Sequence, residues 1–166
     1  MFDVEQTLVC MPVSVQTDIH TQRITMIKHA SAVWQGGIKD GGGNISTETG
    51  VLHGAPYGFH ARFEGGKGTN PEELIGAAHA GCFSMALSLI LGEAGFIPTR
   101  IDTKAAVTLD KVGDGFEITA SHLTVMAEIP GIDQLTFEGI TSQAKTGCPV
   151  SKLLNAKITM DATLIA

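Results

Sequence analysis

The sequence has little charge and no cluster of positive charge. Only 17% of its 166 residues are charged, the formal net charge is −6, and the 11 Lys and Arg residues are scattered. This distribution argues against nucleic acid and against an anionic membrane surface as partners. With 43% hydrophobic residues, the chain is long and apolar enough to form one globular domain with a substantial core.

Cysteine is also scarce. The three cysteines, Cys10, Cys82 and Cys148, have no CxxC spacing, which argues against a secreted disulfide framework and against a zinc site. The six histidines show no metal-ligand spacing either. The N-terminus lacks the basic start and long apolar run of a signal peptide. We therefore expect a cytoplasmic location, where a cysteine pair is more often redox-active than structural.

Several common catalytic motifs are missing. The GxSxG elbow of serine hydrolases is absent. Two glycine-rich segments, DGGG and EGGKG, have neither the GxGxxG nor the GxxxxGK[ST] spacing of a phosphate-binding loop. The sequence also has no internal repeats and no low-complexity tracts. No phosphate-binding or serine-hydrolase site is therefore expected.

The chain is organised around an uncharged stretch, Leu74–Leu91. Asn70 is a good N-cap, Pro71 suits the first helical position, and Glu73 completes a capping box, while Gly95 is a typical helix stop. Polar residues interrupt the stretch and its flanks are acidic, which disfavours a transmembrane helix. Because the helix is apolar on every face, we expect it to be buried on all sides.

Short strands and turns surround this helix. Before it, the pattern predicts an antiparallel meander of three strands, Lys28–Gln35, Asn44–Leu52 and Gly58–Glu64. After it come two strands with a bulge near 120–122, a helix, a short helix and a last strand: Arg100–Lys111, Phe116–Ile129, Asp133–Thr146, Pro149–Leu154 and Ala156–Ile165. We predict an α+β domain over residues 26–166, with strands wrapped around a central helix. Residues 1–25 are expected to form a flexible or loosely docked extension.

Cys82 and Cys148 are the first candidates for chemistry. Cys82 lies in the middle of an apolar helix, where a thiol usually packs as a small inert hydrophobe. Cys148 directly precedes Pro149 at a predicted helix start, where the helix dipole favours a thiolate. A loop cysteine that caps the helix is the simpler interpretation of Cys148. A reactive Cys82 would need a nearby cation.

Arg62 is the best candidate for that cation. It lies on the predicted strand just before the helix, and a buried arginine there would need a partner; a solvent-facing position is equally compatible with the pattern. Glu72 and Glu73 are the natural partners, although acidic residues in a first helical turn are common for electrostatic reasons alone. Glu72 precedes Cys82 by ten residues, or roughly 15 Å along one helix. Either Arg62 spans that distance, or the glutamate comes from a second subunit, which would place the site at a dimer interface.

His79 lies three residues before Cys82 on the same helix face. A Cys/His pair at this spacing could activate a nucleophile. No acid that would orient the ring is identifiable, so a hydrogen-bonded core histidine is the favoured interpretation.

Two segments resemble the OsmC/Ohr peroxidases. They are the run GFHARFEGGKGTNPEELIGAAHAGCFSMALSLILGEAGF at 58–96 and AKTGCPVSKLLNA at 144–156. The resemblance extends from about Met26 to the C-terminus. It implies an intertwined homodimer in which the central helices pack together and the sheets wrap around them. It further implies a cytoplasmic thiol peroxidase of oxidative and osmotic stress defence.

The resemblance also implies roles for individual residues. Cys82 would reduce an organic hydroperoxide, and hydrogen peroxide less well, and become a sulfenic acid. Cys148 would then form a disulfide with it, which an external dithiol reduces, and no metal or other cofactor is required. Arg62, oriented by Glu72, would stabilise the Cys82 thiolate. The expected walls of the substrate pocket are Phe59, His79, Phe83 and Met85.

Three other functions remain open from the residues alone. A non-catalytic stress dimer would keep both thiols inert towards peroxide. A binding module would take a small apolar ligand in the interface pocket without turnover. An acyl-chain enzyme on a helix-in-sheet architecture would leave the paired thiols unused, and the sequence offers no clear acid–base pair for it.

Overall fold

The computed structural model describes residues 25–165, which fold as an α+β domain. The predicted extension over 1–25, with Cys10, lies outside the described residues except for Thr25. The strands are β1 (Ala30–Gln35), β2 (Gly42–Thr47), β3 (Ala55–Tyr57), β4 (Arg100–Val112), β5 (Gly115–Glu128) and β6 (Lys157–Ile165). The helices are α1 (Phe59–Phe63), α2 (Pro71–Glu93), α3 (Gln134–Gly147) and α4 (Pro149–Leu153).

The predicted central helix is confirmed as α2. The side-chain oxygen of its N-cap, Asn70, accepts a hydrogen bond from the Glu73 N–H at 2.8 Å. Beyond its end, Gly95 has a φ of +85°, which only glycine adopts without strain. By length and composition α2 could cross a membrane, but the core helix of a soluble protein meets the same criteria.

The strands form two sheets. In the first, β1, β2 and β3 are antiparallel, as the predicted meander requires. In the second, β4 and β5 form a long antiparallel hairpin and β6 pairs with β5 in parallel. The predicted bulge is present close to its expected place, because Thr108 pairs with Ala120 while Leu109 pairs with Ile118, which leaves Thr119 unpaired in the ladder.

The core lies between the second sheet and the helices. Alternate residues of β5 face it, because successive side chains of a strand point to opposite sides. The buried apolar residues of β5, α2 and α3 are Leu123, Val125, Ala127, Phe83, Leu87, Leu91, Phe137, Ile140 and Ala144. Cys148 is also fully buried in this cluster. The thiol pair therefore lies at the edge of the main core.

The structure corrects the third predicted strand. Residues Gly58–Glu64 hold the short helix α1, and the third strand, β3, precedes it. The rings of Phe59 and Phe63 lie with their centroids 4.9 Å apart, because residues four apart share one face of a helix. Alternating apolar residues over so short a segment fit a strand and a helical turn equally well.

The structure also corrects the expected burial of α2 on every side. One face packs on the core, but Met85 and Leu89 on the other face are 76% and 62% exposed. The first sheet shows a similar lack of cover: within the described chain no residue of β1, β2 or β3 is fully buried. Two apolar surfaces thus stay uncovered by residues 25–165.

Candidate active site

Cys82 and Cys148 form a thiol pair. Cys82 lies in the middle of α2, and Cys148 lies between α3 and α4, where it is the C-cap of one and the N-cap of the other. Their Sγ atoms are 3.0 Å apart, and both cysteines are free. A disulfide bond is about 2.0 Å long, so a small approach of the two sulfurs would form it.

The surroundings shift the pKa values of the two thiols in opposite directions. Burial raises the pKa of Cys82, and its hydrogen bond with Cys148 raises it further. Burial also opposes ionisation of Cys148, but hydrogen bonds from Cys82 and from the N–H and hydroxyl groups of Ser151 outweigh it and lower the pKa of Cys148. Within one chain, Cys148 is therefore the thiol that ionises more readily.

Arg62 and Glu72 form a bidentate ion pair. The Nε and Nη2 atoms of Arg62 donate to the two carboxylate oxygens of Glu72 at 3.0 and 2.6 Å. The two side chains are 34% and 12% exposed, respectively. The guanidinium carbon also lies 5.2 Å from the centre of the Phe63 ring. The two hydrogen bonds to Glu72 and the contact with the Phe63 ring fix the orientation of the guanidinium.

Within one chain this ion pair is remote from the thiol pair. Glu72 and Cys82 belong to the same unbroken helix, and ten residues of α-helix span about 15 Å. Arg62 is not among the groups that shift the pKa of Cys82. Of the two arrangements that the sequence left open, Arg62 of the same chain does not span the distance to Cys82.

An apolar cavity of about 330 Å³ lies beside Arg62. Its lining is mainly aromatic and aliphatic and comprises Trp34, Ile38, Tyr57, Gly58, Phe59, Phe63 and Pro71. Phe59, one of the predicted pocket residues, is among them. Trp34, Ile38 and Tyr57 were missed, because the first sheet brings them to Arg62 from distant parts of the sequence.

The other three residues predicted for the substrate pocket, His79, Phe83 and Met85, do not line this cavity. His79 and Phe83 have no exposed surface, so in this conformation neither can line a cavity open to a substrate. Met85 is 76% exposed and points away from the core. These positions follow from the helical period, because residues 79 and 83 share the buried face of α2 and residue 85 lies on the opposite face.

His79 is the hydrogen-bonded core histidine that the sequence favours. Its Nδ1 atom lies 2.8 Å from Ser121 Oγ of β5, and its Nε2 atom lies 2.8 Å from Ser151 Oγ of α4. Burial lowers the pKa of His79, so the ring is neutral near pH 7. The two serines are 42 and 72 residues away in the sequence and carry no local signal that would link them to the ring.

The side chains at the site suit two-electron sulfur chemistry. Two thiols within reach of each other can be oxidised to a disulfide and reduced again. An oriented guanidinium next to an apolar cavity can hold a negative charge close to an apolar substrate. Among residues 25–165, no three His, Cys, Asp or Glu side chains converge in a group that could hold a metal ion.

Comparison with known sequences places these features in a family. A family model described as OsmC-like protein matches residues 64–163. The chain is 62% identical over 141 residues to peroxiredoxin OsmC of Escherichia coli K12, an alignment that covers 85% of this chain and 99% of that one. It is 29% identical over 117 residues to the organic hydroperoxide resistance protein OhrB of Bacillus subtilis, which covers 70% and 84% of the two chains.

Solved structures agree with the sequence matches. The crystal structure of OhrB from Bacillus subtilis superposes with a TM-score of 0.59 at 25% identity, over 82% of this chain and 98% of that one. An OsmC-like protein from Mycoplasma pneumoniae superposes with a TM-score of 0.69 over 86% of this chain and 100% of that one. At 13% identity, the second match supports the fold alone.

Proposed function

Because the chain belongs to the OsmC-like protein family, we propose that it is a thiol-dependent peroxidase of hydroperoxide stress defence. Its substrates are organic hydroperoxides and, less efficiently, hydrogen peroxide. The observation that carries this function is the pair of reduced thiols, with 3.0 Å between the sulfurs of Cys82 and Cys148. An inert packing role would not require two thiols from distant parts of the chain in direct contact.

In the first step, the Cys82 thiolate attacks the distal oxygen of the hydroperoxide. The S–O bond forms as the O–O bond breaks, which leaves a sulfenic acid on Cys82 and an alkoxide that takes up a proton and leaves as the alcohol. This step needs a thiolate on Cys82, whose pKa the apolar surroundings raise. A cation close to Cys82 would reverse that effect.

In the second step, Cys148 resolves the sulfenic acid. Its thiolate attacks the sulfur of Cys82, the S–S bond forms, and the S–O bond breaks with release of hydroxide, which takes up a proton to give water. An external dithiol then reduces the disulfide by exchange. A cytoplasmic location fits this cycle, because its reducing conditions regenerate the thiols.

Arg62 of the partner subunit supplies the cation in a homodimer. Arg62 and Cys82 of one chain are too far apart to act together, whereas α2 has an open apolar face and the first sheet has no buried residue in the described chain. A three-stranded sheet without a core is marginal alone. Packing of two chains through these surfaces covers them and brings each ion pair towards the other chain's thiols.

The cavity beside Arg62 holds the organic part of the substrate. Its apolar lining favours an alkyl or aryl group over water, and Arg62 at its edge would hold the peroxide oxygens near the thiolate of the other chain. Hydrogen peroxide has no apolar part to bind there. The cavity therefore accounts for a preference for organic hydroperoxides.

Peptide mass spectrometry after one equivalent of cumene hydroperoxide tests the chemistry. We expect a Cys82–Cys148 disulfide in the reduced protein after treatment, none in Cys82→Ser, and an over-oxidised Cys82 in Cys148→Ser. If both thiols stay reduced, or Cys10 alone reacts, the peroxidase mechanism is wrong. Saturable binding of the hydroperoxide without turnover would then favour the small-ligand binding module.

Mixing two inactive variants tests the shared site. In a heterodimer of Cys82→Ser and Arg62→Ala, one site keeps both Cys82 and the Arg62 of the other chain. Random exchange of subunits should therefore restore about a quarter of the unmutated activity, since half the dimers are mixed and each has one intact site. If each site belongs to a single chain, the mixture stays inactive.

A further inference from the structure

A row of aromatic rings connects Arg62 with the tip of the β4–β5 hairpin. The guanidinium carbon of Arg62 lies 5.2 Å from the centre of the Phe63 ring. The Phe63 ring also contacts Phe116, with 5.4 Å between the ring centres and 46° between the ring planes. Favourable aromatic pairs have ring centres about 4.5–7 Å apart, so this is a packing contact. It comes from β5, which contributes no residue to the lining of the cavity beside Arg62.

The helix that carries Arg62 is too short to fix its own side chains. α1 has five residues, and none of them is buried within residues 25–165. A single helical turn is not stable alone, so the placement of its side chains depends on contacts with other elements. Arg62 has such a contact with Glu72 of α2, and Phe63 has one with Phe116 of β5.

Phe116 lies apart from the main core. It is 58% exposed and does not belong to the buried cluster between the second sheet and the helices. It is the second residue of β5, directly after the turn in which Gly113 has a φ of +57°. An exposed phenylalanine by itself needs no explanation. Here the hairpin extends past the core, and its tip brings an aromatic ring against Phe63 of α1.

The Glu72 carboxylate and the Phe63 ring restrain different motions of the guanidinium. Two hydrogen bonds, from Nε and Nη2 of Arg62, fix its position against the carboxylate. They still allow the guanidinium to tilt, because hydrogen bonds to a carboxylate oxygen tolerate a broad range of directions. A ring that is itself held in place limits this tilt. Because Nε and Nη2 are engaged with Glu72, Nη1 is left to donate to a peroxide oxygen or a thiolate.

We propose that Phe116 is a positioning residue for Arg62. It holds the Phe63 ring against the guanidinium, and so keeps Nη1 directed towards the peroxide and the thiolate of Cys82 of the partner subunit. This inference rests on the proposed function, in which Arg62 acts on those two groups. Phe116 does not line the cavity, so its effect passes through Phe63 and Arg62.

Rate constants for two peroxides test this role in the full-length protein. Rapid mixing of the reduced protein with hydrogen peroxide or cumene hydroperoxide gives the second-order rate constant of Cys82 for each. We expect Phe116→Ala to lower both about tenfold, because a small displacement of a catalytic group slows a reaction steeply. Phe116→Tyr, which keeps the ring, should retain both. Val112→Ala is the matched control, since Val112 pairs with Gly115 across the same turn and is also exposed; it should change neither rate constant.

The pattern across the two peroxides separates positioning from cavity shape. Arg62 acts on the peroxide oxygens and the thiolate, which both reactions share, so both rate constants should fall by a similar factor. A fall confined to cumene hydroperoxide would mean that Phe116 shapes the cavity, and it would overturn the inference. Equal rate constants for Phe116→Ala and Val112→Ala would overturn it as well. If Phe116→Ala does not fold, Phe116→Leu takes its place: it keeps apolar bulk without a ring and should give a smaller fall in both.

An Arg62→Ala background tests whether the effect passes through Arg62. There Phe116→Ala should cause no further loss, since the guanidinium that the ring positions is gone. A further loss of the same size would show an independent role and contradict the inference. The pH dependence of the rate constant gives the pKa of Cys82, which should rise in Phe116→Ala, in the same direction as in Arg62→Ala and by less.

Nuclear magnetic resonance relaxation of the Arg62 Nε–H measures the restraint without catalysis. We expect a lower order parameter in Phe116→Ala than in the unmutated protein or in Val112→Ala. An unchanged order parameter overturns the inference, while a disulfide between Cys82 and Cys148 still supports the proposed function. If the unmutated protein does not react with peroxide, the proposed function fails instead, and the order parameter still decides whether Phe116 restrains Arg62.

Discussion

The two faces of α2 have similar composition and different surroundings. The buried face presents Gly76, His79, Phe83, Leu87 and Leu91 to the core. The opposite face presents residues as small or as apolar, and all of them are exposed: Ala77, Ala78, Gly81, Met85 and Leu89. Hydrophobicity alone therefore does not tell which face packs within the chain.

Two glycines show what distinguishes the faces. A Cβ on Gly76 would lie 3.3 Å from the Ala105 carbonyl oxygen, so this glycine lets β4 approach the helix closely. A Cβ on Gly81 would meet nothing within 4 Å in the described chain. A small residue with no neighbour of its own leaves room for another backbone, which is what packing against a second copy of α2 would use.

A charge on the exposed face of α2, which carries Met85 and Leu89, should have the largest effect on dimerisation and activity. Met85→Glu would bury a carboxylate in the proposed interface, which costs far more than the contact is worth. We expect a monomer with native circular dichroism and almost no peroxidase activity, because the shared site cannot assemble. Light scattering and an activity assay measure the two results.

Leu135→Glu is the matched control for that charge. Leu135 of α3 is 79% exposed, close to the 76% of Met85, but it does not lie on the open face of α2. We expect this variant to stay dimeric and active. If both variants behave alike, the open face of α2 is not the interface.

Two leucines of α2, one on each face, allow the contribution of each face to the free energy of unfolding to be compared. Leu87 is fully buried and Leu89 is 62% exposed. Leu87→Ala should lower the free energy of unfolding by about 2–5 kcal/mol at any protein concentration. Leu89→Ala should lower it mainly where the dimer is populated, so its effect depends on concentration. Urea denaturation at several concentrations distinguishes them, and equal losses for both leucines would contradict the comparison.

Low pH should lower the free energy of unfolding through His79, on the buried face of α2. Burial lowers the pKa of its imidazole below the ordinary value of 6.5. As the pH falls below 6.5, the imidazole is therefore protonated in the unfolded chain before it is protonated in the folded chain. The free energy of unfolding should therefore decrease as pH falls below 6.5, by up to about 1.4 kcal/mol per pH unit. Denaturation between pH 7 and 5 should show a shallower slope in His79→Gln; an identical slope would mean that His79 is not responsible.

The smallest expected effect lies at the start of α2, outside both faces. Asn70→Ala removes the side-chain acceptor for the Glu73 N–H and should cost about 1 kcal/mol of folding stability. Because the cap does not belong to the interface, the loss should not depend on protein concentration. Asn70→Ser, which keeps an acceptor, should recover most of it in the same denaturation assay.

The predictions that succeeded rest on local signals. Asn70, Pro71 and Gly95 delimit α2 because caps and stops act within one turn of the chain. The strand–turn pattern located five of the six strands for the same reason. An acidic partner for Arg62 was also predicted, since a buried arginine requires one; of the two candidates close in sequence, Glu72 and Glu73, it is Glu72 that pairs with it.

The failures have a shared cause. Gly58–Glu64 was predicted as a strand, because seven residues do not separate a period of 2 from one of 3.6. His79 and Phe83, predicted to line the substrate pocket, lie on the buried face of α2, because the sequence shows that α2 is apolar but not which neighbour each face meets; their role at the pocket stays a prediction. Ser121 and Ser151 were not identified at all, since their relation to His79 exists only in the folded chain.

The sequence by itself determined the central helix, its limits, the α+β order of elements and the residue types that suit thiol chemistry. Only the tertiary structure decided that Cys82 and Cys148 touch, that Arg62 of α1 pairs with Glu72 at the start of α2, and that His79 connects two serines. Local signals fix backbone conformation because they act over a few residues. The contacts of a site depend on how distant segments pack, and that follows from burial of the whole chain.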